Sequence, residues 1–154
     1  MKRSLEDVAA EYQKSIYLAA FQICRNAEDA NDIVQDTLLT YYLKQMDYRS
    51  EEHLRAWLLR VAINKAKDKT RSFWRRQVEL QDIMQDIPVF EQEEEQTLFE
   101  EVMNLPEKYR IVIHLFYYED YSVREIAEVL QISENNVKVR LSRGRSLLKE
   151  KLEG

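Results

Sequence analysis

Basic and amide side chains at helical spacing are the residues of this chain best suited to chemistry. Arg60, Asn64, Lys67 and Arg71 recur at i, i+4, i+7 and i+11, one continuous stripe along a helix. Further on, SENNVKVRLSRGRSLLK, from Ser133 to Lys149, sets Asn135, Lys138, Val139, Ser142, Arg143 and Ser146 on one side at the helical period. Cations in such rows can follow phosphates, and an asparagine can offer a paired donor and acceptor to a base edge. This is binding chemistry. Nothing comparable supports catalysis: no glycine-rich phosphate loop and no nucleophile motif occurs. Carboxylates fall on helix faces or in one acidic run, the usual places for solvated charge. Cys24 is the sole cysteine, set among Ala20, Phe21 and Ile23, and reads as a buried thiol. His53 and His114 lack partners at metal-ligand spacing. No enzyme, metal or cofactor is expected.

The elements that must carry these rows are helices. Val123, Ile126, Ala127 and Leu130 mark the buried face of a short helix, and Ser122 with Glu125 forms a capping-box start. Gln131 and Ile132 make a turn. Ser133 caps the next helix, whose inward side is Val137, Leu141, Gly144 and Leu148. The pair has the design of a helix-turn-helix whose second helix enters the DNA major groove. An ordinary amphipathic hairpin with a solvated face stays open on this segment alone.

Composition agrees with an all-α protein. The 154 residues include only two glycines and two prolines, and a third of them are charged. No apolar run approaches the roughly 18 residues needed to span a bilayer. The opening MKRSLEDVAAEY does not resemble a signal peptide. These features predict a soluble cytoplasmic protein without membrane insertion of its own. The net charge of −5 is at first sight wrong for a nucleic-acid binder, but it hides opposed blocks. Arg60 to Arg76 holds seven bases against Asp68, whereas Glu79 to Glu101 holds nine acids and no base. Because screening confines charge to about 10 Å, the blocks matter more than their sum.

Two small helical domains joined by an acidic linker are predicted: residues 1–76, 77–95 and 96–154. In the first, a helix from about Leu5 to Cys24 turns Val8, Tyr12, Ile16, Ala19 and Ile23 inward. Asn26 caps a second, with Ala30, Ile33, Val34, Thr37, Leu38 and Tyr41 towards the core. After a polar corner, Asp47 to Glu52, a third helix runs from about His53 to Arg76, anchored by Leu54, Trp57, Leu58 and Val61. The linker contains Pro88 and the run EQEEEQ, yet Val78, Leu80, Ile83, Met84, Ile87, Val89 and Phe90 give it apolar character. It is either a partly ordered tether or a segment that docks on another protein. In the second domain a helix ends near Asn104, Pro106 opens the next, and Ile111, Val112, Leu115 and Phe116 supply its core face.

Three motifs in this order resemble the extracytoplasmic-function (ECF) group of bacterial RNA polymerase sigma factors. NAEDANDIVQDTLLTYY is similar to the region 2.2 helix of that family, and LRAWLLRVAINKAKDKTR to regions 2.3 and 2.4. LPEKYRIVIHLFYYEDYSVREIAEVL followed by SENNVKVRLSRGRSLLKEKL is similar to regions 4.1 and 4.2. The likeness covers nearly the whole chain.

The resemblance implies tasks for the polar faces. Asp32, Gln35 and Asp36 would dock on the clamp helices of the largest subunit of core RNA polymerase. Arg60, Asn64, Lys67 and Arg71 would contact the −10 promoter element. The corner with Tyr48 and Arg49 would capture a base flipped from the opening duplex. Its sequence DYRSEEH departs from the family's common glycine-containing form and is more acidic, which affects base preference. Trp57 reads as core; Phe73 and Trp74 are the better candidates for aromatics beside DNA or a partner. In the second domain Lys138, Ser142 and Arg143 would make base-edge or nearby phosphate contacts at the −35 element. Arg140 and Arg145, nearer the buried flank, would hold phosphates or a salt bridge, while Asn135 and Asn136 could touch backbone or base. The helix around Tyr109 to Tyr118 would meet the flap of the second-largest subunit.

By the same resemblance the function is promoter-specific initiation with core polymerase, responsive to stress or envelope state and restrained by an anti-sigma factor. A stand-alone helix-turn-helix regulator would leave the first domain's faces without tasks. A sigma-like decoy would tolerate loss of Lys138, Ser142 and Arg143.

Overall fold

The computed structural model describes residues 3–45, 47–76 and 90–153, with side chains throughout except at 72–76. The described residues form helices and connections, with no strand among them. The chain divides into two compact units, Met1–Asp86 and Ile87–Gly154.

The first unit is a three-helix bundle: α1 (Leu5–Cys24), α2 (Ala27–Lys44) and α3 (Glu51–Arg76). Local signals set its joints. Ser4 Oγ accepts from the Asp7 N–H at 3.1 Å to start α1, and Asn26 Oδ1 accepts from the Asp29 N–H at 2.8 Å to start α2. With so few glycines, α1 and α2 end on Arg25 and Gln45 in the left-handed region, at φ 55° and 47°. The core joins Val8, Ile16, Leu18 and Phe21 of α1 to Ala30 and Ile33 of α2 and to Leu54, Leu58, Leu59 and Ile63 of α3. Each such large side chain contributes about 1.5–3 kcal/mol by leaving water.

Several sequence expectations for this unit need correction, Leu38 of α2 among them, which is only half-buried. The third helix begins at Glu51 rather than His53, because Ser50 Oγ accepts from the His53 N–H at 3.1 Å and caps it. Trp57 and Val61 are only half-buried. The register gives the α3 core to Leu54, Leu58, Leu59, Ala62, Ile63 and Ala66 instead. Cys24, at the end of α1, is likewise only partly covered.

In the second unit, α4 (Glu93–Met103) starts inside the stretch read as linker. Its first turn is Glu93, Glu94 and Glu95, which a helix N-terminus favours. Phe90 joins this unit too: it lies 5.0 Å from the Phe99 ring, and its N–H donates to Gln96 Oε1 at 2.7 Å. The apolar linker residues Val78, Leu80, Ile83, Met84, Ile87 and Val89 lie outside the described residues, as do the side chains of Phe73 and Trp74. Pro106 caps α5 (Glu107–Ile113) rather than forming its first turn, and α5 continues as one π-helical turn, His114–Tyr118. Then come α6 (Val123–Leu130) and α7 (Glu134–Glu153). Gly144 of α7 lies against α5 so closely that a Cβ there would stand 2.6 Å from Ile113 Cδ1.

Candidate nucleic-acid and polymerase interfaces

The helix-turn-helix is built by short-range bonds. The Glu125 N–H donates to Ser122 Oγ at 3.1 Å while the Ser122 N–H donates to Glu125 Oε1 at 2.8 Å, the reciprocal capping box. Gln131 ends α6 at φ 59°, and Ser133 Oγ accepts from the Asn136 N–H at 3.0 Å to open α7. Val137, Leu141, Gly144 and Leu148 are buried against the rest of the unit. The opposite side of α7 is solvent-exposed at Asn135, Lys138, Val139, Ser142, Arg143 and Ser146. Geometry follows the helical period here without exception.

Three of the predicted contacts are otherwise engaged. Arg140 is half-buried and its Nε donates to Asn136 Oδ1 at 3.1 Å, so these two hold each other. Arg145 Nε donates to the Tyr117 hydroxyl at 2.6 Å, and its guanidinium lies 5.4 Å from the Phe116 ring centroid and 5.7 Å from that of Tyr117. That aromatic cradle exists because the π-turn brings Phe116 and Tyr117 to face α7. No local sequence signal reports it.

On α3, Arg60, Asn64, Lys67 and Arg71 share one face, with Asn64 and Arg71 exposed and Arg60 and Lys67 half-buried. Arg71 Nη2 pairs with Asp68 Oδ1 at 2.8 Å across one turn. Trp57 lies on this same face, three residues before Arg60 and seven before Asn64, so the stripe begins with a partly exposed indole. Register alone could have found it.

On α2, Asp32, Gln35 and Asp36 are exposed together. Their face continues into Leu39, Tyr42 and Leu43, which are 53%, 58% and 68% exposed. At positions 32, 35, 36, 39, 42 and 43 the spacing is that of a single stripe, polar in its first half and apolar in its second. The apolar half extends the acidic face expected from the sequence. Lys69 of α3 approaches the polar half, its Nζ 3.6 Å from Asp32 and 3.9 Å from Asp29.

The corner differs from expectation at Tyr48. This ring is 5% exposed, 6.5 Å from the Tyr41 ring, and its hydroxyl oxygen accepts from the Arg3 N–H at 2.7 Å. It offers no face to a base. Arg49 and Ser50 are exposed instead, and the Arg49 N–H donates to His53 Nδ1 at 3.0 Å. Among the described residues no cluster of His, Cys, Asp or Glu could hold a metal ion, and no helix is long and apolar enough to cross a membrane.

A helical bundle followed by a helix-turn-helix unit with a polar reading face defines a two-module DNA-binding protein. Comparison with known proteins gives the family. The sigma-70 region 2 family matches residues 8–78, and the sigma-70, region 4 family matches residues 96–148. The ECF RNA polymerase sigma factor SigW of Bacillus subtilis (strain 168) is 27% identical over 95% of this chain and 87% of its own length. The sigma factor RpoE, solved with the anti-sigma factor NepR from Bartonella quintana, has the same fold at TM-score 0.74 and 20% identity, with 96% of each chain covered. CnrH, solved with the cytosolic domain of CnrY, aligns at TM-score 0.67 and 24% identity over 97% of this chain and 87% of its own. The chain belongs to the sigma-70 family of RNA polymerase sigma factors, in its ECF group. It is therefore a transcription initiation factor and not an enzyme: it directs core polymerase to promoters, and the bond chemistry is the polymerase's.

Proposed function

We propose that residues 1–76 bind core polymerase and read and open the −10 element, that 77–95 connect, and that 96–154 read the −35 element. The exposed face of α7 carries this reading. Lys138, Ser142 and Arg143 meet base edges or adjacent phosphates there, and Val139 offers an apolar contact of the kind a thymine methyl accepts. Asn135 works beside them. Asn136 and Arg140 shape the helix and touch at most the phosphates, while Arg145 braces it against Phe116 and Tyr117.

In the first unit the stripe Arg60, Asn64, Lys67 and Arg71 follows the −10 strand, with Trp57 as the aromatic at its head. The Asp47–Ser50 corner accepts an unpaired base through Arg49 and Ser50. The α2 face docks on polymerase through Asp32, Gln35 and Asp36, extended by Leu39, Tyr42 and Leu43; an exposed apolar run rimmed by polar groups suits a protein contact. Because RpoE and CnrH were solved with an anti-sigma factor and with CnrY's cytosolic domain, a comparable inhibitory partner is inferred here, acting in the cytoplasm.

Run-off transcription with purified core polymerase on a promoter library tests this. Initiation at a discrete set, abolished by substituting Lys138, Ser142 and Arg143 together, supports the reading and supplies both promoter elements. Core binding without initiation would overturn it.

A further inference from the structure

Six residues drawn from all three helices and their joints meet at the corner between α2 and α3, and no role in DNA or polymerase binding accounts for their arrangement. Arg3 Nη1 lies 2.6 Å from Glu51 Oε1 and 2.7 Å from Glu11 Oε1. The Tyr12 hydroxyl donates to the same Glu51 oxygen at 2.7 Å. The backbone of Arg3 is held from both sides: its N–H donates to the Tyr48 hydroxyl at 2.7 Å, and its carbonyl accepts from the Tyr41 hydroxyl at 2.6 Å. All three tyrosines are buried. Charge-assisted bonds of this kind fix geometry more tightly than neutral ones, and a fully satisfied polar network specifies one arrangement.

The network brackets the corner. Tyr48 is tied inward on one side of Arg49 and Ser50, and Glu51 is tied on the other. Between the ties the Arg49 N–H is held by His53 and Ser50 caps α3. The two exposed residues therefore emerge on a backbone whose path is set from behind. The apolar contacts of Leu54, Leu58 and Ile63 already join the helices, and the network adds a fixed polar geometry at the corner to that core. Accepting a flipped base requires such fixity, because a pocket must be formed beforehand if it is to offset the cost of unstacking.

We propose that Arg3 and Glu51 are positioning residues for −10 base selection, holding the Asp47–Ser50 corner in the shape that receives an unpaired base. The inference rests on the reading of that corner as a −10 contact.

The test uses full-length protein in reconstituted holoenzyme and single-stranded oligonucleotides that carry the −10 sequence from the transcription assay, permuted one base at a time. Arg3→Ala and Glu51→Gln are expected to flatten base preference at one position about tenfold, the size of one lost base contact. Core affinity should stay within about twofold, Arg3→Lys should restore much of the preference, and Arg49→Ala should alter it at the same position. Lost preference with Arg49→Ala but not with Arg3→Ala would overturn the positioning role alone. Unchanged preference in both would overturn the corner reading and the proposal with it. Parallel loss of preference, core affinity and melting temperature, without rescue by lysine, would reduce the network to a structural brace and overturn the proposal too.

Discussion

At the scale of single residues, side chains with similar sequence positions divide by what they touch. Arg143 is exposed on α7, whereas Arg145 is engaged by Tyr117 and Phe116. Arg145→Ala is accordingly expected to cost about 0.5–1 kcal/mol of stability, the worth of an exposed cation–π contact, and to leave the salt dependence of DNA binding unchanged. Lys138→Ala, if its contact is to a phosphate, should reduce the slope of log affinity against log salt by about one; titration at several salt concentrations separates the two variants. His114 is wholly buried, and burial pushes its pKa down from 6.5 to about 4, partly opposed by the nearby Glu119. Between those values the unfolded chain binds the proton that the folded chain refuses. This contribution is therefore complete above about pH 6.5 and falls away as pH drops towards 4, by on the order of 3 kcal/mol. Unfolding curves of wild type and His114→Gln across that range should show a shallower pH dependence in the variant. Glu51 behaves alike in sign: its hydrogen bond from Tyr12, then its pairing with Arg3, lowers its pKa, so that stabilisation fades only at acid pH.

At the scale of elements, the joints are where sequence is most legible, because a cap needs only its next three residues. Asn26, Ser122 with Glu125, and Ser133 are readable for that reason, and Ser122→Ala should destabilise the second unit by about 1 kcal/mol in denaturant titrations. Ser50 carried the same signal ahead of α3. Long-range effects were not legible. Tyr48 is buried by Arg3, 45 positions away, and Arg145 depends on a π-turn that no propensity announces. Trp57 is an intermediate case: its half-exposure follows from register once α3 is known to pack through Leu54, Leu58 and Leu59. Gly144 illustrates packing set by one hydrogen atom. Alanine gains about 1 kcal/mol in helix propensity there but overlaps Ile113, an overpacking cost of about 1–3 kcal/mol. Gly144→Ala is expected to be neutral to mildly destabilising, and Gly144→Leu to lower the melting temperature sharply and weaken −35 binding.

At the scale of the molecule, each unit carries its own apolar core, and charge is arranged by face rather than by total. Leu58→Ala should cost about 2–5 kcal/mol in the first unit. A fragment of residues 87–154 prepared alone should keep its helical signal. The α2 stripe joins acids to bare leucines while the α3 stripe is basic, so one small bundle can address protein and nucleic acid on different helices. The left-handed helix ends have a practical consequence as well. Gln45 and Gln131 hold a backbone conformation in which a side chain is a liability, at φ 47° and 59°. Glycine would relieve about 1–2 kcal/mol of crowding at each and return about half of it as unfolded-chain entropy. Neither glutamine belongs to a face assigned above to DNA or polymerase. The pair is thus a starting point for engineering: a hardier initiation factor for use as a synthetic genetic switch, obtained without redrawing what it reads.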